Sequence, residues 1–168
     1  NGWKISIILE EIGYEYKITK IDIGNDEQFK PDFLKISPFG KIPVIIDHDN
    51  KKSIFESGAI LMYLGDKSRK FYNEKDRLVI NQWLMAQMGT VGPMIGQHHQ
   101  FHHYNPGKSD FGEERYFKIA RRIYGELDAR LKDSKFLAGT DYSIADIATW
   151  PWMARHEWHD IGLKNYKN

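Results

Sequence analysis

The chain has 168 residues, 24 basic and 23 acidic, with 41% apolar and 14% aromatic residues, a composition that excludes disorder and allows one compact domain or two small ones. Charge is scattered and nearly balanced, so no footprint for nucleic acid stands out, and the longest apolar runs, "IPVII" and "AILMYL", are too short to span a bilayer. The absence of cysteine removes disulfides, thiolate metal sites and a Cys-x-x-Cys redox motif, so a soluble, cytoplasmic protein is expected whose thiol chemistry must use a thiol brought from outside.

The chain opens on Asn1 without an initiating methionine, and helical periodicity begins at once, as in a piece of a longer protein. In "NGWKISIILEEIG", Ile5, Ile8, Leu9 and Ile12 recur at helical spacing and Gly13 supplies a stop. "YEYKITKIDI" alternates and predicts a strand from Tyr16 to Ile23, ended by Gly24 and Asn25. "QFKPDFLKI" reads as a short helix interrupted by proline. "KIPVIID" and "KSIF", joined by Asp49 and Asn50, suit a hairpin. "ESGAILMYLGDKS" reads as a helix starting near Ser57, with Ile60, Leu61 and Leu64 turned to a core.

From Lys67 the chain turns polar, and everything beyond reads as helix. The expected organisation is an α/β unit over residues 1–66, a linker at 67–74 and an all-helical unit at 75–168. The second unit predicts a long helix through "LVINQWLMAQMGTVGPMIGQHHQFHHY", bent near Gly92 and Pro93. A second helix follows with Tyr116, Ile119, Ile123 and Leu127 inward, and a third opens on a Ser143 to Asp146 capping box.

Two features carry chemistry. Pro43 removes a strand donor and belongs at a strand start or an edge. A cis bond there would free the Ile42 backbone to pair with an extended peptide ligand, although a trans strand-entry proline is the commoner state. Glu56 and Ser57 open a helix whose amides favour an anion. They read either as a plain cap or as a grip for an α-amino-acid head, with Ser57 on the carboxylate and Glu56 on the ammonium group.

Together these residues resemble the thioredoxin-like domain of glutathione transferases, and the helical remainder resembles that family's second domain. "NGWKISIILEEIG", "FKPDFLKISPFGKIPVIIDHD", "SIFESGAILMYL", "QWLMAQMGTVGPMIGQ", "ERY" and "YSIADIATWPW" are similar to the nu-class branch of bacterial glutathione-transferase-like disulfide-bond reductases. The resemblance implies a homodimeric, glutathione-dependent transferase or disulfide reductase. Asn1 would face the glutathione sulfur, and Gln28, with Lys41, would stand at the glycyl carboxylate. Ile42 and Pro43 would form the loop that pairs with the cysteinyl unit. Glu56 and Ser57 would hold the γ-glutamyl end, and Arg115 would reach in from the helical unit. The family's Thr-Pro and first strand precede the asparagine, so the N-terminal unit is expected without that strand and the thiol-stabilising group is left open.

A glutathione thiolate would be positioned against a small disulfide or electrophile, with Met94, Phe101 and Tyr104 as candidate walls for that second substrate. The alternative is a glutathione-binding regulator without turnover, because a yeast regulator of nitrogen catabolism belongs to the same branch. His98 with His102, and His99 with His103, stand at one-face spacing that permits a metal site. No acidic third ligand lies near them in sequence, and no metal is expected.

Overall fold

A computed structural model describes residues 1–168. Helix α1 spans Gly2–Ile12 and buries Lys4, Ile5, Ile8 and Ile12. It ends because Gly13 takes a left-handed φ of 76° and returns its N–H to the carbonyls of Leu9 and Glu10. The strand expected from Tyr16 to Ile23 is not formed. The segment runs to a 3-10 turn at Ile23–Asn25, capped by the Asp22 side chain, and Ile18 is left exposed. Its alternation is strand-like, but a strand needs a hydrogen-bonded neighbour, and the sheet holds only β1, Val44–Asp47, and β2, Lys52–Phe55.

Those two strands pair antiparallel, Val44 opposite Phe55 and Asp47 opposite Lys52, as the predicted hairpin. Before them lie a 3-10 turn at Glu27–Phe29 and α2, Pro31–Leu34, with its proline in the first turn, where a missing N–H costs nothing. Asp47 anchors the hairpin to the next helix, α3, Ser57–Ser68, by accepting from Tyr63 at 2.5 Å and from Lys67 at 2.5 Å. The Lys67 ammonium and the Tyr63 hydroxyl hold the Asp47 carboxyl far below the ordinary carboxylate range.

The expected long helix forms as one continuous helical run with two widened stretches. Helix α4, Arg77–Ala86, passes through a π segment at Gln87–Val91 into α5, Gly92–His98, and then a second π segment at His99–Tyr104. Pro93 has no N–H for the Gly89 carbonyl, and the ladder ahead of it widens so that Gly92 donates to Gln87. Helix α6, Asp110–Lys132, is capped by Ser109, and α7, Ile144–Met153, opens on the predicted capping box. Asp146 also accepts from the Leu137 N–H at 2.8 Å, which ties down the link between the two helices.

One contiguous core of 21 buried apolar residues joins the two halves, with Ile8 of α1, Ile60 and Leu61 of α3, and Ile144 and Ile147 of α7 among its most buried members. The Ile144 N–H donates to the Phe71 carbonyl across the junction at 2.9 Å. The helical part therefore packs on α1 and α3. At that junction, where α1 and α3 begin beside the loop before β1, the surface opens into a cleft. No helix is long and apolar enough to cross a membrane.

Candidate functional site

A small cleft opens where the start of α1, the loop before β1, the end of β2 and the start of α3 converge. The loop is stiffened from within. The Ser37 hydroxyl donates to the Lys41 carbonyl at 2.8 Å and accepts from the Lys41 N–H at 3.1 Å, closing a ring that aims the next residues into the cleft. Gly40 makes that turn at a φ of 58°, and a Cβ there would stand 2.8 Å from the Phe29 ring. The Ile42–Pro43 peptide bond is cis, and neither backbone polar group of Ile42 is bonded within the protein. An unpaired N–H and C=O on one residue are what an extended ligand backbone would pair with.

Across the cleft Glu56 adopts a φ of 70°, a region costly for a side-chain-bearing residue, and its side chain is exposed. The backbone thereby turns sharply from β2 into α3, so that Ser57 and the first amides of α3 face the cleft together. Asn1 precedes α1 and makes no side-chain capping bond, which leaves its amide free at the cleft rim.

Beneath this rim lies a feature that the sequence did not reveal. Lys4 is 1% exposed, and its ammonium donates to the Gln87 Oε1 at 2.7 Å and, more weakly, to the Ser57 Oγ at 3.4 Å. Burial pulls the Lys4 ammonium down to about 7, against a smaller opposing pull from Glu56. Periodicity placed Ile5, Ile8 and Ile12 inward, but a lysine on the adjoining stripe reads as surface. Only its spacing from Ile8, four residues on, marks it as inward.

Of the residues singled out in the sequence, Asn1, Lys41, Ile42, Pro43, Glu56 and Ser57 line this one cleft. Gln28 and Arg115 do not. Gln28 is buried beside the loop and donates to the Ile23 carbonyl at 3.4 Å, while its Oε1 has no partner. Arg115 is exposed on α6 with its guanidinium 5.9 Å from the Tyr116 ring centroid. Among the candidate walls, Phe101 stacks on Tyr116 with centroids 5.4 Å apart, Met94 packs against the core, and Tyr104 is exposed.

The histidine block is engaged internally. His98 and His102 stack at 4.9 Å as their spacing predicts, but His99 bonds to His159, Nε2 to Nε2, at 2.7 Å, and Tyr124 holds the other nitrogen of His159 at 2.5 Å. Burial first, and then neighbouring histidines, depress His99 to about 4 and His159 to about 3. His159 lies 60 residues from His99, so no local spacing could have announced the pair.

A cleft offering a free backbone on one wall and a helix start with Glu-Ser on the other, in an α/β unit backed by a helical bundle, has clear relatives. Residues 1–66 match the glutathione S-transferase N-terminal domain, and residues 110–155 match the glutathione S-transferase C-terminal domain. The chain is 46% identical to the disulfide-bond oxidoreductase YfcG of Escherichia coli, an alignment covering 99% of this chain and 80% of that protein. It is 38% identical to the disulfide-bond oxidoreductase YghU of the same organism, over 91% of this chain and 57% of that protein. A crystal structure of a glutathione transferase from Burkholderia graminis, with two glutathione molecules bound per subunit, superposes with a TM-score of 0.91 at 35% identity, over 97% of this chain and 73% of that one. The chain belongs to the glutathione S-transferase family and has its fold, a thioredoxin-like N-terminal part followed by a helical C-terminal part.

Proposed function

We propose that the protein is a glutathione-dependent disulfide reductase of this family, whose cleft holds the tripeptide between the Ile42 loop and the start of α3. The observation that supports this most strongly is the convergence of the unbonded Ile42 backbone, Glu56 and Ser57 in one cleft of a chain without cysteine. Both oxidoreductase relatives from Escherichia coli carry names that point to the same reaction class.

In this reading the cysteinyl backbone of glutathione pairs with Ile42 beside Pro43. Ser57 and the first α3 amides take the γ-glutamyl carboxylate, and Glu56 accepts from the ammonium group. Lys41 stands on the glycyl side of the loop, Gln28 supports that side from behind, and the exposed Arg115 reaches toward the ligand from α6. The Asn1 amide hydrogen-bonds to the sulfur and favours its thiolate.

Since the chain contributes no sulfur, every exchange occurs between bound molecules. A glutathione thiolate attacks one sulfur of the substrate disulfide, forming a mixed disulfide and expelling a thiolate that takes up a proton. A second glutathione thiolate then attacks the glutathione sulfur of the mixed disulfide, releasing oxidised glutathione and the second reduced thiol. Two glutathione molecules are oxidised for each disulfide reduced, and the protein supplies orientation and charge.

We read residues 1–66 as the glutathione-binding domain, 67–74 as the linker and 75–168 as the helical domain of a cytoplasmic homodimer. Leu78 and Met85 support dimerisation, being exposed apolar residues two turns apart on α4. Reduction of 2-hydroxyethyl disulfide by glutathione, followed by formation of oxidised glutathione, tests the reaction. Turnover that falls in Glu56→Ala is expected. A protein that binds glutathione without turnover would instead fit a regulatory role.

A further inference from the structure

The Lys4 ammonium is buried behind Ser57 and forms no ion pair with any carboxylate of the chain. Its two acceptors are neutral and come from opposite sides of the molecule. Ser57 opens α3 in the glutathione-binding part, and Gln87 begins the first π segment of the helical part. A buried cation without a counter-ion is costly, and two neutral acceptors offset that cost only in part. The Ser57 hydroxyl accepts from Lys4, so its own hydrogen must point elsewhere, and the acceptor it finds is the Met88 Sδ at 3.6 Å, a weak one.

We propose that Lys4 is a positioning residue of the γ-glutamyl pocket: by donating to Ser57 it leaves the Ser57 hydroxyl to act as a donor, and when a carboxylate binds there it places a positive charge behind the α3 N-terminus. The pocket thereby selects a ligand end that carries a carboxylate. This inference rests on the reading of the cleft as a glutathione site and adds to it a residue that never touches the ligand.

A carboxylate at Ser57 brings the missing negative charge close to Lys4 through one hydroxyl group. The charged groups facing Lys4 are few: Glu56 at the turn into α3 attracts it, while Gln87 and Met88 from the helical side are neutral. With the free ammonium titrating near neutrality, ligand binding should draw a proton onto it.

The test is calorimetric titration of S-methylglutathione, which has no thiol to titrate, in buffers of differing ionisation enthalpy. Wild type should take up a fraction of a proton on binding at about pH 7.5, near the midpoint where Lys4 is part-neutral, and much less about two pH units lower. Lys4→Met should lose most of that uptake and bind roughly tenfold more weakly or worse. Its KM for glutathione should rise while kcat changes far less, and Lys4→Arg should recover part of the affinity. Equal affinity and equal proton uptake in a folded Lys4→Met would overturn the proposal. Absence of proton uptake by wild type near pH 7.5 would overturn it without any variant. Failure of wild type to bind S-methylglutathione at all would instead refute the glutathione site itself.

Discussion

Glu56 holds its backbone at a φ of 70°, where a side-chain-bearing residue is strained by about 1–3 kcal/mol, and the strain is what swings Ser57 and the α3 amides into the cleft. Glu56→Gly should therefore raise stability by about 1 kcal/mol in denaturant melts while glutathione affinity falls, because the acceptor for the ligand ammonium is gone. Ser37 is buried in the wall of the cleft and holds the loop in place. Ser37→Ala removes both bonds that fix the loop at Lys41 and should cost about 1–2 kcal/mol, with a raised KM for glutathione and a smaller change in kcat. Glu56, Ser57 and Ile42 were legible because their chemistry matches a ligand end or a strand-forming backbone. Lys4 and Gln87 were not, since a buried lysine and its glutamine partner 83 residues away meet only in the folded chain.

Helices were readable at the scale of elements because each carries its own signals. Gly13 ends α1, and Ser143 with Asp146 starts α7. In the latter box Asp146 accepts from the Ser143 N–H at 3.0 Å and from the Leu137 N–H at 2.8 Å. Asp146→Ala leaves two backbone donors unsatisfied, takes the acceptor from the Ser143 hydroxyl as well, and should destabilise the protein by about 2–3 kcal/mol, against about 1 kcal/mol for Ser143→Ala, as read by urea melts. The hairpin was legible for the same local reason. The expected strand from Tyr16 to Ile23 was misread because alternation describes a residue pattern, whereas a strand exists only with a partner. The π segments around Gln87 and His99 were equally invisible, since a widened hydrogen-bond ladder leaves helical periodicity almost intact.

At the scale of the whole molecule, the buried imidazoles of His99 and His159 make stability depend on pH in a defined direction. Their folded-state values of about 4 and about 3 lie below the unfolded value of about 6.5, so the unfolded chain binds more protons throughout that interval. Stability is then lost as pH falls from about 6.5 toward 4, a loss that begins above the range where exposed carboxylates titrate. The melting temperature should drop between pH 7 and pH 5, and His99→Gln should show a shallower fall. A flat wild-type profile over that span would count against the burial of the pair.

The junction of the two parts also frames the cleft, for Lys4, Ser57 and Gln87 meet there. Whether this cleft holds glutathione is decided by calorimetric titration of reduced and oxidised glutathione into wild type, Glu56→Ala and Arg115→Ala. Saturable binding to wild type is expected, tighter for the oxidised form, with weaker binding to both variants and a loss of roughly tenfold or more in Glu56→Ala. A folded wild-type protein that binds neither form, or a Glu56→Ala variant that binds both as well as wild type does, would contradict it.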